Sequence, residues 1–147
     1  MEKAAQERAV QGLDPDARKR AEDVASRFAQ AMNARTWQTS RQQWREALAP
    51  TVSPELLKTL DVDRDWESDA QHRFVQARAS TSVQVLEARA QTVQGERVDV
   101  ALMVATETTG EDPWVTAPRT ERPMTVVVDT TQNRVVAQID MTPHGGL

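Results

Sequence analysis

Apolar side chains recur in this sequence with one period up to about residue 74 and with another beyond it. In the first part, Ala17, Ala21, Val24, Ala25, Phe28, Ala31 and Met32 return at intervals of three and four, which gathers them on one face of a helix opposite a charged face. Asp14-Pro15 marks its start: the aspartate side chain is expected to accept an orphan backbone N–H, and proline suits the first turn, where no N–H is needed. The helix is expected to end near Asn33. Ser40 with Gln43 three residues on is a capping-box pattern. It opens a second helix that carries Trp44 and Leu48 on one face and stops before Pro50, because the residue ahead of proline resists helical geometry. Ser53-Pro54-Glu55 opens a third, expected to bury Leu56, Leu57 and Leu60.

Beyond Phe74 valine and threonine dominate. Val98, Val100, Leu102 and Val104 alternate with Asp99, Ala101, Met103 and Ala105, the two-residue period of a strand with one buried face. Strands are predicted over residues 82–92, 97–108, 123–129 and 134–141. Gln94-Gly95-Glu96 and residues 129–133 are short and polar enough for hairpin turns, whereas residues 110–119, with Pro113 and Pro118 around Trp114, read as a longer loop. The predicted class is α+β: a four-stranded antiparallel meander preceded by helices rather than alternating with them. One face of the sheet must pack on the helix at 14–33, or Phe28, Met32 and the valines would face water. Residues 1–13, helix formers interrupted by Gly12, read as a frayed helix, linker or stalk; residues 14–141 form the domain and 142–147 a flexible tail.

A chain of 147 residues suits one domain. Its 22 acidic and 18 basic residues are interspersed, for a net charge of −4 and a pI of about 5.2. That balance disfavours nucleic acid as a partner, since phosphate binding calls for a basic stripe. The basic run Arg18-Lys19-Arg20 is followed by Glu22 and Asp23 and reads as a solvated helix face, with an anion or lipid-headgroup contact as the alternative. Without cysteine there is no disulfide, thiolate nucleophile or zinc-thiolate site. No apolar run approaches the ~18–20 residues that span a bilayer. Lysine occurs only at Lys3, Lys19 and Lys58, an arginine bias that points to a GC-rich genome.

Candidate chemistry is sparse. His72 and His144 are the only histidines and tyrosine is absent, which limits near-neutral acid–base groups. An Asp69–His72 pair fits helical spacing and reads as a surface ion pair rather than a catalytic one. Asp61-Val62-Asp63-Arg64-Asp65 begins like a calcium loop but has Trp66 where glycine belongs and His72 where glutamate belongs, so it reads as an acidic, solvated connection from helix to strand. No nucleotide, metalloprotease or serine-hydrolase motif is present. No cofactor and no metal are expected. Of the four tryptophans, Trp37 and Trp44 flank the second helix and are expected to anchor the core or its edge. Trp66 and Trp114, among polar and proline-rich neighbours, are the candidate protein-interface residues, with structural capping as the alternative.

The order of one long helix, two short ones and an antiparallel sheet resembles the NTF2-like (cystatin-like) α+β roll, from Asp14 to Met141. It is more closely similar to the soluble domains of VirB8-type and TcpC-type proteins of conjugative or type IV secretion systems. Phe28-Ala29-Gln30-Ala31-Met32, Trp44 with Leu48-Ala49-Pro50, and Thr125-Val126-Val127-Val128 with Arg134-Val135-Val136 carry that similarity. The resemblance implies a non-enzymatic scaffold on the extracytoplasmic face of the cytoplasmic membrane that self-associates and contacts other channel subunits. It also implies a membrane anchor upstream of these residues, with residues 4–10 as its stalk. NTF2-like enzymes line the roll with Asp, His or Tyr dyads, for which this sequence offers scarcely any candidates. A small-ligand- or lipid-binding envelope protein is the alternative, and an NTF2-like enzyme dependent on His72 the third reading.

Overall fold

The computed structural model describes residues 13–139. All but Leu13 of the expected stalk, the last two residues of the expected domain, the tail and His144 lie outside the described residues. The elements run α1 (Pro15–Asn33), β1 (Arg35–Thr36), α2 (Arg41–Leu48), α3 (Pro54–Arg64), α4 (Asp69–Gln76), β2 (Ser80–Gln94), β3 (Arg97–Thr109), β4 (Ala117–Asp129) and β5 (Arg134–Ile139). The strands form one five-stranded antiparallel sheet in sequence order, one more than expected. The addition, β1, has two residues and pairs Arg35 with Thr81 and Thr36 with Ser80.

The helix starts are mostly as the sequence indicates. Ser40 and Gln43 form the reciprocal capping box of α2, and the Ser53 side chain accepts the Leu56 N–H at the start of α3. Asp14 departs from expectation: its side chain makes no cap bond, and its backbone carbonyl accepts the Arg18 N–H at 2.9 Å. Pro15, which has no N–H to leave orphaned, is the part of the expected start that operates. α3 runs through Asp61 to Arg64 and closes on Asp65 in the left-handed conformation, so residues 61–65 are not a solvated connection. α4, absent from the sequence reading, starts where the Ser68 side chain accepts the Gln71 N–H.

Two bulges bend β2. The pairing with β3 skips Leu86, between Val85↔Val104 and Glu87↔Met103, and skips Gln91, between Ala90↔Val100 and Thr92↔Asp99. An extra residue on one strand increases local twist and bend. At the second bulge the Ala90 N–H donates to the Glu22 carboxylate of α1 at 2.9 Å, fastening the helix to the concave side. Gly95, with φ +61°, opens the two-residue turn between Gln94 and Arg97, the place where a II′ turn calls for glycine. β4 begins six residues before its expected start, within what read as a loop. Its Pro118 and Pro123 precede the described β4–β5 ladder, which starts at Thr125↔Ile139, so only one side of β4 is paired there among the described residues, the edge setting that tolerates proline.

Phe28, Val24 and Ala25 of α1 are buried against Val98, Val100, Leu102, Val126, Val128 and Val135. Trp44, Leu48, Leu57 and Leu60 join them from α2 and α3, while Leu56 is only partly buried. The segment between these helices closes the edge of β5: Val135 N–H donates to Thr51 O at 2.7 Å and Ser53 N–H to Val135 O at 2.9 Å.

Candidate functional site

Three clusters carry the chemistry. The first centres on Asp61, one helical turn after Leu57 and therefore on the buried face of α3; it is only 4% exposed. Arg41 reaches it from α2 with Nε at 3.0 and 3.1 Å from the two carboxylate oxygens and Nη2 at 2.5 Å. Arg45 Nη1 donates at 3.0 Å, and the Trp66 indole N–H donates at 3.0 Å from the turn after α3. The Arg41 guanidinium, helped by Trp66 and Arg45, holds the Asp61 carboxyl below the usual carboxylate range against the opposing effect of burial. Every acceptor direction of Asp61 is used by the fold itself.

The second cluster adjoins the first at the end of the same helix. Met32 and Asn33 at the end of α1, Arg35, Trp44, Leu60, Asp63 and Arg64 face inward-pointing Thr81, Thr106 and Gln138 of the sheet across a cavity of about 440 Å³. The Arg64 guanidinium lies 3.9 Å over the Trp66 ring and 5.0 Å from that of Trp44. The two indoles meet edge to face, with centroids 5.6 Å apart. Arg35 stacks 3.8 Å over Phe74. Neither arginine has an ion-pair partner among the described residues, and the buried Arg64 Nε and Trp44 Nε1 have no acceptor. Burial, with the neighbouring positive charge of Arg35, lowers the Arg64 pKa to about 10; burial also lowers that of Arg35.

The third cluster is apolar and outward. Trp114 is 84% exposed at the tip of the β3–β4 connection, on a loop that is firmly held. Asp112 Oδ1 accepts the Trp114 N–H at 3.0 Å and Asp112 O accepts that of Val115 at 3.1 Å. Glu111 N–H donates to Ala77 O at 2.7 Å, and a Cβ on Gly110 would sit 3.1 Å from the Cβ of Ala79. The same connector, residues 77–79, holds Trp37, whose N–H donates to Ala79 O at 2.8 Å. Trp37 is 36% exposed, as is Val75 of α4 at 38%. Trp44 is a core anchor as expected; Trp37 stands at the surface, with the Arg78 guanidinium 5.5 Å from its ring. Trp66, by contrast, spends its N–H and one ring face inside the fold.

His72 is exposed on α4 and makes no ion pair with Asp69. Among the described residues no group of three or more His, Asp or Glu is placed to hold a metal ion, and no helix is long and apolar enough to cross a membrane. Asp61 and Arg64 went unrecognised in the sequence, although their spacing from Leu57 and Leu60 aligns them with the buried face.

No protein-family model matches the sequence, and no curated protein matches it. Solved structures do resemble the fold. TraH, a putative transfer protein from the Gram-positive conjugative plasmid pIP501, is 5% identical with a TM-score of 0.56, over 86% of this chain and 95% of that one. CagV, a VirB8 homologue of the type IV secretion system from Helicobacter pylori, is 10% identical with a TM-score of 0.59, over 84% and 99%. The intermembrane space region of the chloroplast protein ARC6 is 14% identical with a TM-score of 0.55, over 86% and 95%. At these identities the likeness concerns the fold: an amino-terminal helix packed on a curved, five-stranded antiparallel sheet, broadly NTF2-like.

Proposed function

We propose that this chain is a non-enzymatic scaffold subunit of a conjugative-transfer or type IV secretion-like complex, standing on the extracytoplasmic face of the cytoplasmic membrane and acting through protein–protein contacts. The observation that carries the reading is the set of exposed apolar side chains Trp114, Trp37 and Val75, on segments that backbone hydrogen bonds join to the connector 77–79. A tryptophan fixed on a pre-ordered loop loses little freedom when a partner covers it, the property that makes this residue a frequent hot spot. The shared fold of TraH and CagV is the second support.

Self-association through these side chains is tested by light scattering across protein concentration. The expected mass rises with concentration, and Trp114→Ala returns it to that of one chain without changing the thermal midpoint. A constant single-chain mass, unaffected by the substitution, would rule out self-association through Trp114. Gene order tests the wider assignment: a secretion ATPase encoded alongside supports it, and an isolated cytoplasmic gene without an anchor argues against it. A second reading, a ligand-binding roll, is favoured by the cavity between helix and sheet.

A further inference from the structure

We propose that the cavity flanked by Arg35 and Arg64 binds a small organic anion, a carboxylate or phosphate head on a short apolar body. The inference rests on the ligand-binding reading of the roll and gives it a chemistry. Both guanidiniums border one cavity, each with a flat face against an aromatic ring. Stacking occupies the face and leaves the N–H edge as the reactive side, the edge that pairs bidentately with carboxylate or phosphate. No acid among the described residues takes that role here. Arg41 and Arg45, on α2, share the Asp61 carboxylate, so pairing is available to this protein where it is structural.

The cavity's other walls sort by chemistry. Met32, Trp44 and Leu60 offer apolar contact, while Asn33, Thr81, Thr106 and Gln138 offer amides and hydroxyls. At about 440 Å³ it falls in the range of small-molecule sites, roughly 300–1,000 Å³. Arg64 Nε and Trp44 Nε1 are closed off from the cavity, which leaves the Nη groups of Arg64 to meet an acceptor. Two neighbouring cations in a desolvated wall repel one another, and an anion reverses the sign of that interaction. Asp63, exposed where it borders the cavity, works against an anion.

Calorimetric titration with octanoate, octyl phosphate, inorganic phosphate and octanol tests this, repeated on Arg35→Met, Arg64→Met and Asp63→Asn with the thermal midpoint of each variant recorded. Saturable binding of octanoate or octyl phosphate is expected, weakened about tenfold or more by either methionine, strengthened by Asp63→Asn, and weaker by a similar factor for octanol. Octyl phosphate binding more tightly than inorganic phosphate assigns an amphiphile; equal binding of the two assigns a free anion, and both support the site. Octanol matching octanoate would keep the cavity as a ligand pocket and overturn the anion. No saturation by any probe would overturn both. If the methionine variants fail to fold, the exposed Asp63→Asn decides: unchanged octanoate affinity overturns the proposal.

Discussion

Two groups of arginines beside α3 stand in opposite circumstances. Arg41 and Arg45 of α2 converge on one buried carboxylate with donor–acceptor distances of 2.5–3.1 Å. Arg35 and Arg64 are partly desolvated, stacked on aromatic rings and unpaired among the described residues. The first group ties α2 to α3 and to Trp66. The second meets aromatic rings but no carboxylate. The contrast separates arginines that pair within the fold from those that the proposed ligand would meet.

The contrast can be broken at three levels. Trp44→Ala should have the largest effect, about 3–5 kcal/mol in chemical denaturation, because this indole is 3% exposed in the core and also borders Arg64 and Trp66. If the loss is small, the two groups of arginines do not share a foundation. Asp61→Asn should follow at about 2–3 kcal/mol, the amide accepting less strongly from Arg41, Arg45 and Trp66. Its pH dependence has a definite sign. The folded-state carboxyl of Asp61 titrates below its ordinary value, so its stabilisation is complete above the unfolded pKa of about 3.9 and is lost as pH falls through the folded one. Denaturation curves of wild type and Asp61→Asn should therefore converge in acid. Asp129, whose carboxyl is lowered by the Thr131 hydroxyl and the N–H groups of its own turn, should still destabilise both proteins there.

Arg64→Met should be the mildest, staying within about 1 kcal/mol of wild type at neutral pH because the lost stacking is offset by removal of a buried charge. The guanidinium keeps its proton across the working pH range, so the difference between wild type and Arg64→Met should not vary with pH near neutrality. A loss as large as that of Asp61→Asn would place Arg64 among the structural arginines.

Local signals predicted much of this molecule. The Ser40 and Ser53 starts, the apolar stripe of α1 and the alternation of β3 are all written in residues a few positions apart, and all are present. What escaped depends on distance in sequence. β1 exists only because Thr81 lies beside Arg35, and the burial of Asp61 becomes tolerable chiefly through Arg41 and Arg45, twenty and sixteen residues earlier. α4 is a different case, since Ser68 and Gln71 repeat the spacing that opens α2, a local signal set beside the acidic run. The inner cavity was not legible at all, because its walls come from α1, β1, α2, α3 and three strands.

The bulges of β2 hid that strand's alternation. Its core-facing residues are Val83 and Val85, then Ala88 and Ala90, then Val93, odd numbers giving way to even and back to odd. Leu86 and Gln91 are the residues without a partner on β3, each absorbing one step of the pleat so that the residues beyond it keep their face. Deleting either would leave every core-facing residue in phase, with a regular ladder in place of the bulge, and deleting both would leave a straighter ribbon. The curvature that makes room behind α1 is therefore encoded as two single-residue insertions that the alternation of the core does not itself require.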